Sequence, residues 1–311
     1  DANVGDTGVI DGVTYTVVDE AMLRAMVADE EDVTKVVTTK VTDMFELFYL
    51  GIDIFSDFNQ NISSWDVSNV TDMGRMFYKD TPFNQPIGDW DVSSVTNMDG
   101  MFGGSAFNQP IGDWDVSNVT NMRYLFYFTP FNQDIGNWDV SSVTNMKDMT
   151  LQNSVFNQPI GDWDVSNVIN MSGMFSGGAF NQPIGDWDVS NVTNMGGMLG
   201  GVFNQPIGDW DVSNVIEMGG MFGVSAFNQP IGDWDVSSVT NMAFMFDLNK
   251  VFNQDIGNWN VSNVLVMGGM FFNSSSFNQN LSSWDVDSVI DCVLFSTNAT
   301  SWTLPQPNFT N

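Results

Sequence analysis

The amino-acid sequence predicts a solenoid, a stack of similar short coils, and three observations support this. The triplet Phe-Asn-Gln occurs ten times, at intervals of 23 to 25 residues. A Trp follows the Phe of each triplet seven residues later, from Trp65 to Trp284. The apolar residues between successive triplets repeat with the same period. A fixed hydrophobic pattern with a period near 24 is typical of proteins whose repeats stack in one dimension.

Residues 1–40 differ from the rest of the chain and are predicted to form an N-terminal cap, a hairpin plus a short helix. Two β-prone runs flank Asp11-Gly12, a dipeptide that favours a tight hairpin turn. Asp19 is a favourable N-cap for a helix over residues 20–28, where apolar residues recur on one face. The open end of a solenoid exposes core and unpaired backbone, so an atypical terminal segment is expected there.

The coil that begins at Phe83 shows what each repeat contains. Ile87, Trp90 and Val92 follow the Leu-x-x-Leu-x-Leu rhythm of leucine-rich repeats. The alternation of Asp with Trp and Val at this point predicts a short parallel β-strand. Apolar residues then recur at spacings of three, three and one up to Phe102, which predicts a short helical or 3₁₀ segment. Each leucine-rich-repeat-like coil of about 24 residues would therefore combine these two elements.

Residues 41–295 would form about ten or eleven such coils, and residues 296–311 a C-terminal tail or linker. Stacked coils lie about 4.8 Å apart, with columns of Trp, Val, Met and Phe inside. The Asn of the triplet is expected to form a structural ladder, its amide bonded to backbone of its own and adjacent coils. This ladder comprises Asn84, Asn108, Asn132, Asn157, Asn181, Asn204, Asn228 and Asn253.

The charge balance restricts the partners that the protein can have. Acidic residues number 38 and basic residues 8, for a net charge of −30. Such a charge repels nucleic acid and anionic membrane surfaces and attracts cations. No apolar run approaches the 18 residues or so that a membrane span requires, so membrane insertion is not expected.

The composition favours a protein that is not an enzyme. The chain contains no His, which removes the usual general base and proton shuttle. Paired carboxylates can hydrolyse glycosides. Here, however, they recur along the whole repeat, whereas an active site is a singular departure from a repeat. No organic cofactor is expected.

Pairs of aspartates flank the Trp in Gly-Asp-Trp-Asp, a sequence present in full six times. In a stack of strands these pairs form two columns, in which like charges roughly 5 Å apart repel by about 1 kcal/mol in water. Three interpretations remain open: bound calcium, capping of turns by hydroxyl and backbone donors, and simple solvation. The candidate calcium ligands are Asp89, Asp91, Asp113, Asp115, Asp162, Asp164, Asp186, Asp188, Asp209, Asp211, Asp233 and Asp235.

Asn-x-Ser/Thr sequences offer candidate N-glycosylation sites. Several belong to the Asn-Val-Thr of the repeat itself, so their recurrence also has a purely structural interpretation. The candidates are Asn61, Asn69, Asn118, Asn191, Asn260, Asn273, Asn280, Asn298 and Asn308.

The single cysteine, Cys292, has no partner for a disulfide within the chain. One interpretation makes it a small apolar residue buried in the last coil. The other pairs it with a cysteine of a longer precursor or of a neighbouring subunit.

The motif FNQPIGDWDVSNVTNMxxMF, repeated over residues 41–295, resembles the BspA-like leucine-rich repeat surface proteins of bacteria, whose repeat is also called DUF285. The opening VGDTGVIDGVTYTVVDEAML and the closing SWTLPQPNFTN are similar to segments that flank the repeats in secreted members. The resemblance implies a secreted or cell-surface protein linked to adhesion, with no catalytic residues to carry over. Asp1 without a preceding Met agrees with removal of a signal peptide.

Two functions follow as expectations. The first is a non-enzymatic structural or adhesion protein whose rigid acidic solenoid binds protein or carbohydrate at the cell surface. The second is a subunit of an extracellular filament, which binds other copies of itself end to end through its caps and C-terminal tail.

Overall fold

The structure is a computed structural model that describes residues 2–49, 51, 56–80 and 82–309. Its regular secondary structure lies in the first forty residues. Strand β1 (Thr7–Ile10) pairs with β2 (Val13–Val17) as an antiparallel hairpin around Asp11-Gly12, and β3 (Val36–Val37) pairs with β2 in parallel. The sheet order is β1-β2-β3.

Helix α1 (Glu20–Ala28) joins this small sheet to the repeats. The Asp19 side chain accepts a hydrogen bond from the Met22 N–H at 2.9 Å, which caps the first turn. Leu23 is fully buried in the core that continues into the repeats. Arg24 donates to the Phe45 carbonyl oxygen at 2.9 Å, so the helix is tied to the first repeat by a polar contact as well.

Beyond residue 40, the described residues form a repeat protein made of turns and single-residue parallel bridges. One column of bridges starts with the pair Asp43 and Asp72 and continues, one residue per repeat, to Asp291. Backbone hydrogen bonds at alternate residues reinforce it. In one repeat, the N–H groups of Met98 and Phe102 donate to carbonyl oxygens of the next repeat at 2.9 and 3.1 Å.

The elements within each repeat differ from the expected strand and helical segment. The strand expected around Trp90 is not formed, because turns that close at Trp90 and Val95 leave only a short extended stretch between them. The parallel bridge lies further along, at Asn97. Single bridges replace strands throughout the described part of residues 41–295.

Neither an α-helix nor a 3₁₀ segment occurs in the described part of residues 41–295. The apolar spacing of three comes instead from consecutive turns, such as Met101 N–H to Met98 O at 3.2 Å and Ser105 N–H to Phe102 O at 3.0 Å. In the 98–105 segment, Gly100 and Gly104 have φ of 61° and 75°. A left-handed residue at every fourth position reverses the backbone and prevents a helix from propagating.

The core consists of one set of apolar side chains per repeat, placed in register. Phe83 and Phe107, from successive triplets, have ring centroids 6.1 Å apart, and Trp65 and Trp90 stack at 6.5 Å. Each Trp of the Gly-Asp-Trp-Asp column is buried and donates its indole N–H to an Ile carbonyl of the preceding repeat, as Trp114 does to Ile87 at 3.1 Å. These Trp side chains are therefore structural.

Cys292 is a partly buried free thiol that packs against this core in the last repeat. Within the residues that the structure describes, no helix is long and apolar enough to cross a membrane.

Candidate interaction surface

The Asp pairs that flank the Trp column lie on the surface, and all twelve members are exposed. The second Asp of each pair stabilises a turn. Asp91 accepts hydrogen bonds from the Ser93 N–H at 3.1 Å and the Ser93 hydroxyl at 2.6 Å, and Asp115 does the same with Ser117. The hydrogen bonds from Ser93 hold the pKa of Asp91 below its ordinary value. This geometry fits the capping interpretation of the second Asp.

The first Asp of each pair, such as Asp89 or Asp186, is exposed and is free to interact with solvent or ions. Among the described residues, no group of three or more Asp, Glu, Cys or His side chains is arranged to hold a metal ion. Two carboxylates are fewer than the oxygen ligands that calcium takes, so any bound calcium would depend largely on water and carbonyl oxygens. Calcium binding at the pairs stays a prediction.

The triplet Asn residues link successive repeats through their side-chain oxygens. Asn84 Oδ1 accepts from the Asn108 N–H at 2.9 Å, and Asn108 Oδ1 accepts from the Asn132 N–H at 3.0 Å. Each is exposed or partly exposed, not deeply buried. The following Gln adds a second bond, from Gln133 Nε2 to Asn108 O at 3.1 Å. The same arrangement recurs at Asn132, Asn157, Asn181, Asn204, Asn228 and Asn253.

The candidate glycosylation residues lie at the surface, but several use their amide nitrogen in the fold. Nδ2 of Asn69, Asn118 and Asn191 donates to a backbone carbonyl of the preceding repeat at 2.7 to 3.0 Å. An attached sugar would replace one of the two hydrogens on this amide nitrogen. Asn61, Asn260 and Asn280 instead accept from a Ser two residues later, so their nitrogen is not committed in that way.

The remaining candidates lie near the C-terminus. Asn298 donates a hydrogen bond from Nδ2 to Oδ1 of Asn273 at 3.0 Å. Asn308 is exposed, and the Thr310 of its acceptor sequence lies outside the described residues.

One surface varies from repeat to repeat, unlike the core and the Asp columns. We call it the turn face: the two left-handed positions of each repeat and the residue that precedes each of them. In the repeat of Met101 it consists of Asp99, Gly100, Gly103 and Gly104. Between residues 172 and 223 this face carries only Ser and Gly. In several other repeats it carries large side chains.

Several left-handed positions of the turn face are filled by residues other than glycine. Tyr124 and Phe128 have φ of 56° and 51°, and Arg75 and Lys79 have φ of 53° and 60°. Some equivalent positions in later repeats are glycines, such as Gly173 and Gly177. A left-handed conformation costs a residue with a Cβ about 1–2 kcal/mol. Backbone strain of this kind concentrates at functional sites, so these side chains are functional candidates.

Arg75, Lys79, Tyr124 and Phe128 lie near the N-terminal end of the turn face, in what we call the aromatic-basic patch. It contains four of the chain's eight basic residues and four of its five tyrosines. Its residues are Tyr49, Arg75, Tyr78, Lys79, Arg123, Tyr124, Tyr127, Phe128 and Lys147.

Aromatic and charged contacts organise the patch. Tyr49 and Tyr78 meet edge to face at 5.7 Å, and Tyr124 and Tyr127 at 5.5 Å. The Arg123 guanidinium lies 4.6 Å from the centre of the Tyr124 ring, a cation–π contact that holds the two side chains together.

Carboxylates hold Arg75 in place within the patch. Its guanidinium pairs with Glu46 at 3.1 Å and with Asp99 at 3.6 Å. Burial raises the pKa of Asp99, and the nearby arginines oppose this shift.

The patch contains a concavity of about 210 Å³, which is lined by Tyr49, Arg75, Tyr78, Lys79, Gly100 and Tyr124. Glycines keep it open. A Cβ added at Gly103 would lie 2.8 Å from two carbons of the Tyr78 ring, and one at Gly100 would lie 3.3 Å from that ring. The concavity therefore forms because the repeat that contains Gly100 and Gly103 has no large side chain on its turn face, whereas the repeats on either side carry Tyr78 and Tyr124.

Sequence reasoning missed this patch because its residues are spread over about 100 positions and each contributing repeat supplies only one to four of them. A signal was present. Four of the five tyrosines and four of the eight basic residues fall between residues 49 and 147. Several of them occupy repeat positions that hold glycine or serine between residues 172 and 201.

Comparisons with known proteins identify the family of the chain but no described function. The family model described as "Mycoplasma protein of unknown function, DUF285" matches three times, over residues 18–130, 103–202 and 200–306. No curated protein and no solved structure matches the chain. The three matches together cover nearly all of the sequence, and the chain therefore belongs to the DUF285 family.

Proposed function

We propose that this protein is a non-enzymatic adhesion or structural protein of the cell surface or the extracellular space, which binds a macromolecular partner through the aromatic-basic patch of its turn face. Its repeats would form a rigid, acidic solenoid of the leucine-rich-repeat-like type found in BspA-like surface proteins. The glycosylation candidates would then be exposed to modification in a eukaryotic source.

The observation that carries this proposal is the contrast between the turn face and the rest of each repeat. The core and the Asp columns are nearly identical along the chain, as the architecture requires. The turn face instead places Tyr, Arg and Phe at strained left-handed positions. Tyr and Arg are enriched at protein interfaces and dominate their binding energy. A side chain that costs stability and contributes nothing to the core is best explained by binding.

Saturable binding to a surface tests this proposal. The labelled chain would be incubated with a panel of microbial and animal cells and with extracellular matrix, with excess unlabelled chain as competitor. We expect competed binding that falls at least tenfold in the double variant Tyr78→Gly/Tyr124→Gly. Phe244→Gly is the matched control, because Phe244 occupies a left-handed position like that of Tyr124, with φ of 57°, outside the patch. Binding that neither competitor nor double variant reduces would contradict the proposal.

The C-terminal end favours the filament as a second candidate. Alternate N–H groups of the last repeat, at Cys292, Leu294, Ser296 and Asn298, have no acceptor within the part of the chain that the structure describes. The corresponding groups one repeat earlier, such as the Gly269 N–H, donate to the last repeat. Ile290 beside them is 80% exposed. An open edge with exposed apolar side chains is a site for another chain.

The N-terminal end opposes simple head-to-tail stacking. The Phe45 carbonyl oxygen of the first repeat already accepts from Arg24, and the cap packs against that repeat. Electron microscopy of the protein separates the two candidates. Discrete particles at all concentrations favour adhesion, and filaments that disappear in an Ile290→Asp variant favour the subunit of a fibre.

A further inference from the structure

We infer that the concavity of the aromatic-basic patch binds a neutral carbohydrate chain. This inference rests on the proposed function, because it names the class of partner that the turn face takes. Its basis is the combination of ring surfaces, fixed donors and acceptors, and local charge at one place.

The shape of the site suits a ring-shaped ligand. The rings of Tyr49, Tyr78 and Tyr124 line a concavity of ≈ 210 Å³, and Gly100 lies between them. Binding sites for small ligands are concave and lined by aromatic side chains with a few polar groups. The C–H faces of a sugar ring are apolar and pack against aromatic rings, while the tyrosine hydroxyl groups remain able to form hydrogen bonds.

The polar groups of the site suit hydroxyls, which donate and accept at once. The Arg75 guanidinium carries five N–H donors, of which the contacts with Glu46 and Asp99 use only some. The Glu46 carboxylate is partly exposed and has acceptor positions beyond the one that Arg75 uses, so it can accept further hydrogen bonds. Because the ion pairs hold both partners in place, a ligand would lose little side-chain entropy on binding them.

Charge selects a neutral ligand over an acidic one. The four cations of the patch lie among Glu46, Asp99 and Asp148, so the patch is close to neutral. The whole chain carries a net charge of −30, which repels an acidic glycan or an acidic protein on approach. An uncharged polymer meets no such barrier.

The patch extends beyond the concavity, which suits a chain of several sugars. Phe128 is 62% exposed, and Tyr127 meets Tyr124 at 5.5 Å. Together these rings continue the apolar surface from Tyr124, at the edge of the concavity, across the rest of its repeat. A polysaccharide that leaves the concavity past Tyr124 would contact them in succession.

The test is an array of neutral oligosaccharides four to six sugars long, built on glucose, mannose, galactose and N-acetylglucosamine, beside uronic-acid and sialic-acid glycans. Calorimetric titration then gives the affinity for each neutral ligand found. We expect binding to at least one neutral series, a loss of at least tenfold in Tyr78→Gly/Tyr124→Gly, and a change below twofold in Phe244→Gly.

A second variant protects the test from a folding defect. Gly103→Ala removes no ring, but its Cβ would lie 2.8 Å from two carbons of the Tyr78 ring and would displace that ring from its place in the concavity. It should weaken binding as well, with a normal circular dichroism spectrum. The inference would be overturned by binding to acidic glycans alone, by binding in both patch variants that equals that of the parent, or by no glycan binding. If the chain shows the saturable cell binding described above but binds no glycan, the assignment of a carbohydrate as the partner is wrong and the proposed function stands.

Discussion

At the scale of single residues, Asp80 departs most clearly from its repeat. It is fully buried three residues before the Phe of its triplet. Asn153 and Asn249 occupy that position in other repeats. There the side-chain nitrogen donates to a triplet Phe carbonyl at 2.8 and 3.0 Å, and the side-chain oxygen accepts from the next triplet Phe N–H at 3.0 Å. A carboxylate lacks the donor that this site uses.

Asp80 should therefore make the stability of the protein depend on pH. Burial raises the pKa of Asp80 from 3.8 to about 7, and the charge of Asp57 adds to this effect. The folded state then holds a proton that the unfolded state releases between about pH 4 and 7. Unfolding free energy should fall as pH rises through that range, by up to about 1.4 kcal/mol per pH unit, and level off above pH 7.

The substitution Asp80→Asn removes this titration and supplies the missing donor. Urea unfolding at pH 5, 6, 7 and 8 should show Asp80→Asn more stable than the parent at pH 8, with the difference shrinking towards pH 5. Asp186→Asn, an equal change of charge at an exposed site, controls for net charge. Parallel pH profiles for the parent and Asp80→Asn would show that Asp80 does not carry the effect.

At the scale of the repeat, the left-handed glycines decide how closely neighbouring repeats approach. Gly197 and Gly201 lie in one repeat with φ of 64° and 69°. A Cβ at Gly197 would meet nothing closer than Gly173 Cα at 4.0 Å. A Cβ at Gly201 would collide with the Gly178 carbonyl oxygen of the preceding repeat.

These two glycines give a matched test of conformational cost against close contact. Gly197→Ala should lower the unfolding free energy by about 1–2 kcal/mol, the cost of a left-handed alanine. Gly201→Ala should cost clearly more, because the backbone of the adjoining repeat must also shift. Gly177→Ala, with φ of 69° and nothing within 4 Å of its Cβ, should behave like Gly197→Ala. Equal melting temperatures for all three variants would contradict this account.

The repeat also shows how far the sequence predicts the structure. The period, the buried Trp and Phe columns and the link between triplet Asn residues follow from spacing and chemistry. The helical segment was wrong because a spacing of three is shared by a helix and by consecutive turns. Gly100 and Gly104, four residues apart, favour the turns. The patch around Tyr78 and Tyr124 could not be predicted, because only the packing of successive repeats brings residues of four repeats together.

At the scale of the whole molecule, charge is distributed by face. Exposed aspartates, such as Asp89 and Asp186, recur along the Trp columns, and half of the basic residues lie in the aromatic-basic patch. The net charge of −30 destabilises a compact state through self-repulsion, which dissolved salt screens over about 10 Å at 0.1 M. The protein should therefore become more stable as ionic strength rises.

The last prediction separates this screening from a calcium site. Thermal unfolding would be followed in NaCl, MgCl₂ and CaCl₂ at matched ionic strength. Oδ1 of residues such as Asp91 already accepts both hydrogen bonds from the Ser two residues later, which leaves one carboxylate oxygen per side chain for a cation. We expect MgCl₂ and CaCl₂ to raise the melting temperature equally. A larger rise in CaCl₂ that Asp186→Asn and Asp188→Asn together reduce would instead establish a calcium site at the Asp pairs, since only a specific site distinguishes two divalent cations of equal charge.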